Sequence, residues 1–549
     1  MKSWLSWIIL YLIEIPETAA GCLKTEVHMK HIVTAEQMRT RDNYTIKSLG
    51  IPSAVLMERA ALGIAREVIQ KYEELGSKGR VLCVCGTGNN GGDGAACARI
   101  LHMKGVRADL FIVGDPEKFT AEMRLQEKIC KKLGILEVTN PNYLSYQIIV
   151  DAMFGIGLSR DVEGEAQDVI SAINDCGAYV ISADIPSGIN ADTGAVMGNA
   201  VHADVTVTMQ LIKPGLVLYP GALHAGRIVV EEIGILDDIP GGKIAARMSK
   251  LPGEETSDSD IPKELSLDEI HYLEQDDIKK LLPMRLASGN KGTFGKVLVI
   301  AGSKNMAGAA YFSALAAMRS GAGMVKILTA ESNRDILQRE IPEALLETYT
   351  NDEDVVMALD ASLAWADVVC MGPGLGTTER SAKIVRYVLL SCSHPLVLDA
   401  DGLNCLFGDT TLLSSYMGKL YVTPHMGEMG RLAMKSVAEL KSDPISSAVY
   451  LARSCGVFTV MKDARTVIAQ PDGSVYINVS GNSGMATAGS GDVLSGILAS
   501  LLAQGTDPFA AAPMAALIHG LAGDAACRDK GERFMIASDI ITHLSDVLK

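Results

Sequence analysis

A chain of 549 residues, 48% hydrophobic and 21% charged, is too long for one ordinary core and has the balance of a globular protein of two domains. Its 53 glycines against 5% aromatic residues favour tight strand-to-helix turns, hence α/β architecture, over an aromatic stacking surface. The net charge of −15 repels a phosphate backbone, so nucleic acid is not an expected partner, and an anionic ligand must be held by local amides, a few basic side chains or a metal.

Residues 4–13 form an apolar run behind Lys2 that superficially matches the core of a signal peptide. The run is too short to span a bilayer, Glu14 follows it directly, and no persuasive small-x-small cleavage site precedes the next charges. No membrane association is expected, Met29 serves as well as Met1 for a start, and fold reasoning begins at residue 29. The 11 cysteines contain no C-x-x-C pair, and Cys83, Cys85, Cys370 and Cys455 sit inside apolar runs, as reduced core residues of a cytoplasmic protein do.

Residues 34–72 read as helical, with Thr34 and Glu36-Gln37 placed to start the helix. Short apolar runs at 81–85, 109–113, 148–150, 178–183 and 205–209, each with a Gly-rich turn or helical pattern after it, predict a doubly wound parallel sheet with helices on both faces. This Rossmann-like first domain spans 29–236. Pro, Gly, Ser and acidic residues, densest at 252–260, mark a linker over 237–275. The α/β rhythm restarts in a second domain, 276–549, with strands at 296–301, 324–329, 368–371, 396–398, 420–422 and 458–461 and a helix at 308–319.

The first strand runs into Gly86-Thr-Gly-Asn-Asn-Gly-Gly-Asp-Gly94, so glycine amides and a helix N-terminus meet at a strand's carboxyl end, where an anionic group is well received. Gly86-x-Gly88-x-x-Gly91 also fits the dinucleotide fingerprint, but Asn89, Asn90 and Asp93 are more than a plain phosphate cradle needs. Asp151 before Phe154-Gly-Ile-Gly-Leu158, and Asp184 in Asp184-Ile-Pro-Ser-Gly188, bring further carboxylates to the same crevice.

Asn-Asn-Gly-Gly-Asp-Gly, Asp-x-x-Phe-Gly-x-Gly and Asp-Ile-Pro-Ser-Gly, in this order over roughly residues 30 to 235, resemble the NAD(P)H-hydrate epimerase family. The resemblance implies that Asn89, Asn90, Gly91, Gly92 and Asp93, with Gly155, Ile156, Gly157, Leu158, Ser159, Arg160 and Asp161, contact a hydrated nicotinamide nucleotide. It also implies that Asp184 binds the altered ring, with proton transfer as a second role, and that Asn90, Asp151 and Ser187 hold a potassium ion, which takes oxygen ligands. Asp before Pro is also a common turn cap. Lys213, in Leu211-Ile-Lys-Pro-Gly215, is a weaker candidate, since a lysine there is more often a solvated loop charge.

In the second domain, Gly481-Asn-Ser-Gly-Met-Ala-Thr-Ala-Gly-Ser-Gly-Asp492 leads into an apolar helical stretch. Amides of Gly489, Ser490 and Gly491 at a helix entrance make an anion hole, and Asp492 in its first turn is placed to take a proton from an attacking hydroxyl. The helix dipole alone would favour such an Asp, but not the glycines around it. No Walker A lysine motif is present, and the arrangement resembles the ribokinase superfamily. With Asn290-Lys-Gly-Thr-Phe-Gly295, Gly372-Pro-Gly-Leu-Gly376, Thr423-Pro-His-Met-Gly-Glu428 and Lys462-Asp-Ala-Arg-Thr466, residues 275–549 resemble the ADP-dependent NAD(P)H-hydrate dehydratases. Met426 stands where that family commonly has proline, and the Lys462 loop is poorer in glycine.

This resemblance implies that Ala307, Gly374 or Gly376, His425 and Asp492 contact the hydrate, and that Lys462, Asp463, Ala464, Arg465, Thr466 and Gly491 contact the adenine nucleotide. Mg2+ would bridge the phosphates of the co-substrate ADP. The implied reaction phosphorylates the ring hydroxyl of NADHX or NADPHX and expels phosphate, leaving NAD(P)H and AMP, in a homo-oligomeric enzyme. Taken alone, His425 is more often a structural histidine. Three other readings compete: a Rossmann dehydrogenase module, for which Asp109 comes early and Asp115 late; a vitamin or sugar kinase fused to a nucleotide-binding module; and a first domain without catalysis. Neither a zinc cluster among the 10 histidines nor a Gly-x-Ser-x-Gly elbow is evident.

Overall fold

The computed structural model describes residues 30–236, 270–407 and 409–549, so the apolar leader and most of the expected linker lie outside the described residues. The strands of the first half are β1 (Lys30–Ile32), β2 (Val81–Cys85), β3 (Ala108–Ile112), β4 (Ile148–Ala152), β5 (Tyr179–Ala183), β6 (Val205–Met209) and β7 (Arg227–Glu231). Those of the second are β8 (Ile270–Tyr272), β9 (Lys296–Ile300), β10 (Met324–Ala330), β11 (Leu345–Tyr349), β12 (Val368–Met371), β13 (Leu396–Leu398), β14 (Leu420–Val422), β15 (Phe458–Met461), β16 (Val467–Ala469) and β17 (Val475–Ile477).

Every residue of β2 is buried, and its side chains divide with the two-residue period of a strand. Val81, Cys83 and Cys85 face helices Ser53–Glu74 and Asn89–Met103, whereas Leu82 and Val84 face helix Glu165–Asp175. Cover on both faces is what an all-parallel sheet requires, and the order β3-β2-β4-β5-β6-β7 is parallel throughout. β9 divides likewise in the second half. Val297 and Val299 pack toward helices Ala307–Arg319 and Ser490–Ala503, and Leu298 and Ile300 toward helices Asp352–Trp365 and Glu379–Ser391.

The larger sheet runs β1-β8-β17-β16-β15-β14-β13-β12-β9-β10-β11, parallel from β15 to β11. In each sheet two successive strands of the chain diverge to opposite sides, between β2 and β4 and between β9 and β12. Such switch points open a crevice at the carboxyl ends of the strands. Among the described residues one helix, Pro508–Lys530, is long and apolar enough to cross a membrane, and 72% of its most apolar window is buried inside the molecule.

The expected helix over 34–72 is two helices, Ala35–Lys47 and Ser53–Glu74, because Gly50, at φ +78°, and Pro52 break it. Thr34 caps the first in a capping box with Gln37. The expected linker end is displaced as well: β8 and the start of helix Gln275–Leu281 fall inside 237–275. More consequential is β1, which belongs by sequence to the first domain yet pairs antiparallel with β8 at the edge of the second sheet, Ile32 opposite Ile270. Ile32 is buried in the second core with Val217 and Leu218 of the first half. Three-residue strands carry no alternation long enough to identify, so neither β1 nor β8 was legible as a strand.

Ile32→Ala is expected to cost about 2–5 kcal/mol, read as a lower urea midpoint, because a fully buried side chain leaves a cavity at this seam. Lys30→Ala, which removes the exposed ion pair to Glu274, is expected to cost less than about 1 kcal/mol.

Candidate active sites

At the first switch point, a Cβ on Gly86 would lie 2.1 Å from the Met153 carbonyl oxygen, and one on Gly91 would lie 1.9 Å from that of Gly86. Only glycine lets helix Asn89–Met103 start this close to the ends of β2 and β4. Its first turn opens on a cavity of about 910 Å3 lined by Asn89, Asn90, Asp93, Asp184 and the loop from Gly155 to Arg160, all named from the sequence. The structure does not bring all the expected contacts there. Gly91 and Gly92 are buried in the helix start, Gly92 against Met57, and Asp161 is exposed and outside the cavity lining. Arg39 Nη2 donates to the Ile156 carbonyl, 3.1 Å, and so ties the 155–160 loop to helix Ala35–Lys47.

Asp151 and Ser187 are fully buried. Asp151 Oδ2 accepts from Ser182 Oγ and Ser187 N, both 2.8 Å, while its Oδ1 accepts from Ser187 Oγ at 2.5 Å. Burial still pushes this carboxyl above the usual range, against those hydrogen bonds. Against Gly155, the Nδ2 of Asn90 is buried with no partner.

Asp184 leaves β5 at φ +64°, a conformation uncommon for a residue with a side chain and frequent at functional sites. Its Oδ1 accepts from Lys213 Nζ at 2.6 Å, Met209 N at 3.1 Å and Thr208 Oγ1 at 3.2 Å. Lys213 is therefore not the solvated loop charge expected. It is fully buried, because Pro214 and Gly215 turn it inward. Asp93, on the same cavity, is pushed well above the usual carboxylate range by burial, then by Asp184 and Asp42. A carboxyl whose charge burial disfavours thus shares a cavity with one that has a counter-ion.

At the second switch point, Gly302 N donates to the Pro373 carbonyl at 2.9 Å, which joins the loops after β9 and β12. Ala307 begins the helix after β9, Gly374, at φ +58°, sits against Ala309, and Gly376 N donates to Asp401 Oδ2 at 2.8 Å. Helix Ser490–Ala503 enters from Gly489, at φ +89°, with Asp492 in its first turn. Lys462 Nζ donates to Asp399 Oδ1 at 2.6 Å and lies 3.2 Å from where a Gly491 Cβ would be, so a side chain there would displace the ammonium. Asp399 Oδ2 accepts from Ser495 Oγ at 2.7 Å.

Burial, then Asp399, raises Asp492 to about 7 against the pull of Lys462. Burial works against the Lys462 charge too, but Asp399 and Glu428 outweigh it and its pKa is raised. His519 Nε2 lies 3.2 Å from Ser490 Oγ, and burial, then Lys462, depresses its pKa to about 4, so the ring is neutral. His425 caps helix Met426–Ala433: its Nδ1 accepts from Gly427 N at 2.9 Å, and its Nε2 lies 3.2 Å from Glu428 Oε1. Of the expected nucleotide loop, Asp463 and Ala464 are exposed, and Arg465 lies over the Tyr219 ring of the first half, 5.7 Å from its centroid.

Sequence reasoning missed Asp399, Asp401 and His519 and ranked Lys213 low. Asp399 and Asp401 follow β13 directly, the same strand-end position that singled out Asp151 and Asp184, so that rule, applied to the second sheet, finds them. His519, set within the long helix Pro508–Lys530, carries no such signal.

The model for NAD(P)H-hydrate dehydratase matches residues 297–546, and that for the YjeF-related protein N-terminus matches residues 53–215. A bifunctional NAD(P)H-hydrate repair enzyme of Moorella thermoacetica is 36% identical over 535 residues, 94% of this chain and 97% of its own. Its counterpart in Escherichia coli is 32% identical over 529 residues, 96% and 95% of the two chains. A solved structure of an ADP/ATP-dependent NAD(P)H-hydrate dehydratase from Bacillus subtilis, co-crystallised with ATP/Mg2+, is 29% identical and covers 50% of this chain and 96% of its own, with a TM-score of 0.44.

Because the Asp492 pKa is raised to about 7, the folded chain holds this proton more tightly than the unfolded one. The stability this contributes is complete below the ordinary carboxylate value of about 4 and is lost as pH rises through about 7. Asp492→Asn is therefore expected to raise the melting temperature at about pH 8, with a gain that shrinks steadily toward about pH 4.

Proposed function

This chain belongs to the family of bifunctional NAD(P)H-hydrate repair enzymes, and we propose that its two sites act in turn on one metabolite. The cavity at the β2/β4 switch point interconverts the R and S forms of NADHX and NADPHX. The Asp492 site dehydrates the S form at the expense of ADP, giving NAD(P)H, AMP and phosphate. The fusion has a rationale if dehydration accepts one epimer: the first site then supplies it from the other.

The observation that carries this reading is Asp492, a carboxylate with a pKa of about 7 in the first turn of a helix entered by Gly489, Ser490 and Gly491. Near neutrality such a group accepts a proton from the ring hydroxyl as its oxygen attacks the terminal phosphoryl group of ADP. The amides at the helix entrance take up the charge on the transferring group, and AMP leaves with the bridging oxygen. Loss of phosphate and of a proton from the adjacent ring carbon restores the double bond. Ala307, Gly374 or Gly376, and His425 line the hydrate, while Lys462 to Thr466 and Gly491 take the nucleotide. Among the described residues no group of three or more His, Cys, Asp or Glu side chains is set to hold a metal. That suits Mg2+ brought in on phosphates, which needs one or two protein carboxylates at most; when bound it neutralises phosphate charge.

In the first site Asn89, Asn90, Asp93 and the loop from Gly155 to Arg160 receive the nucleotide, and Asp184 faces the ring. Asp184 removes the proton of the ring hydroxyl, the carbon–nitrogen bond opens to an aldehyde with its electron pair on nitrogen, and the same proton returns to that nitrogen. Reclosure from the other face gives the epimer with no net change in atoms or electrons. The side-chain oxygens of Asn90, Asp151 and Ser187 have the chemistry of a potassium site, which would fix the Gly155 loop. The ten cysteines among the described residues are all free, which supports a reducing, cytoplasmic setting. Homo-oligomerisation belongs to the same reading, supported by the exposed apolar side chains Val55, Met103 and Leu133 on one face of the first domain.

Racemic NADHX mixed with the protein, Mg2+ and ADP is expected to recover nearly all its reduced-nicotinamide absorbance. Asp492→Asn is expected to slow the recovery by about 10²–10⁴-fold. Recovery that halts near half, at the rate of spontaneous epimerisation, would remove the epimerase assignment. No recovery with ADP or ATP would favour a small-molecule kinase instead.

A further inference from the structure

Lys213 plays no part in the steps above, yet it is among the most enclosed side chains of the first half, with no solvent exposure. Its three N–H bonds are all used: toward Asp184 Oδ1 at 2.6 Å, the Met209 carbonyl at 2.9 Å and Thr208 Oγ1 at 3.0 Å. A fully engaged ammonium has no donor left for a ligand and exerts its effect through Asp184. The three donors that meet Asp184, including Met209 N and Thr208 Oγ1, all converge on Oδ1. Oδ2 is left for the cavity that Asp184 lines.

The backbone holds Lys213 in place. Gly215 N donates to the Ala191 carbonyl at 2.7 Å, and a Cβ on Gly215 would lie 2.2 Å from the Asn190 carbonyl oxygen, so residues 213–217 are seated against the loop that follows Ser187. The cavity that Asp184 lines also holds the carboxyls of Asp42, Asp93, Asp115, Glu122, Glu163 and Glu165, and of these Asp93 is the one whose ionisation Asp184 opposes. Arg39 and Arg160 are the cavity's arginines, and neither forms an ion pair with Asp184. The charge that compensates Asp184 comes from Lys213.

We infer that Lys213 is a positioning residue of the epimerase site: it clamps one oxygen of Asp184, turns the other toward the nicotinamide ring, and supplies the counter-charge to that carboxylate. The inference rests on the epimerase reading above. A structural lysine would lose stability and binding together when removed. A positioning lysine loses turnover and shifts its pH dependence while binding survives.

The full-length protein tests this with R-NADHX as substrate, its own dehydratase step serving as the readout and recovery from S-NADHX as the internal measure of folding. Lys213→Met is expected to lower kcat for epimerisation by about 10²-fold with KM changed by less than about threefold. The acid limb of its pH profile is expected to move up by about one unit or more, because the carboxylate has lost its counter-charge. Adding Asp184→Asn to Lys213→Met is expected to cost nothing beyond Asp184→Asn alone. Should Lys213→Met fail to fold, Thr208→Val, which removes one bond to each partner, is expected to give a loss of about 10-fold with the same shift of the acid limb. Unchanged kcat and pH profile, or equal losses in kcat, KM and melting temperature with an unshifted profile, would overturn the inference. Wild-type protein that fails to convert R-NADHX faster than the spontaneous rate would instead sink the epimerase reading beneath it.

Discussion

A carboxylate placed at the carboxyl end of a buried parallel sheet is taken out of water, and it stays charged only if a cation is taken out of water beside it. Both halves of this protein meet that constraint with a lysine 2.6 Å from an aspartate, Lys213 on Asp184 and Lys462 on Asp399. The consequences differ with the carboxylate chosen. In the first half the lysine meets the aspartate that lines the cavity. In the second it meets a neighbour held on its other side by Ser495, and Asp492 is left to hold its proton until near neutrality. The two arrangements differ accordingly: one carboxylate carries its counter-ion on a single oxygen, and the other ionises near neutrality.

The glycines serve the same constraint through space rather than charge. Gly491 leaves room for the Lys462 ammonium, Gly86 and Gly91 let a helix begin against two strand ends, and Gly496 lets helix Ser490–Ala503 approach the Ser313 carbonyl, where a Cβ would stand 2.2 Å away. Helix entrances are thereby pressed onto strand ends, and the dipoles of both elements act on one point. The loops that close each crevice are short and hydrogen-bonded to one another, as Gly302 is to Pro373.

Much of this was legible in the sequence, because continuous apolar runs and strand-end carboxylates follow from local rules. β2, β6, β12, β13, β14 and β15 stand where periodicity puts them, and Asn90, Asp93, Asp184 and Asp492 stand at the crevices their motifs imply. What escaped depends on distant partners. Lys213 carries the same letters whether solvated or buried, and only the packing of Gly215 against Asn190 turns it inward. His425, more often a structural histidine when taken alone, accepts from a backbone amide of the following turn, a cap that its own segment does not announce. β1 and β8 are each too short to show a period, and β7, at the edge of its sheet with no fully buried residue, has only the three apolar residues Ile228, Val229 and Val230 between Arg227 and Glu231.

The seam between β1 and β8 has a bearing on how the molecule comes into being. Lys30–Ile32 emerges from the ribosome first among the described strands, yet its partner Ile270–Tyr272 follows some 240 residues later, about 12–50 s at ordinary rates of synthesis. For that interval the first domain can close around its own sheet while carrying an unpaired strand that belongs to a domain not yet made. A gene divided between the two activities would leave that strand on the wrong product, and the larger sheet would present β8 as a bare edge, open to pairing with another molecule. Fusion therefore does more than place two activities on one polypeptide: the earlier half carries the piece that seals the later one.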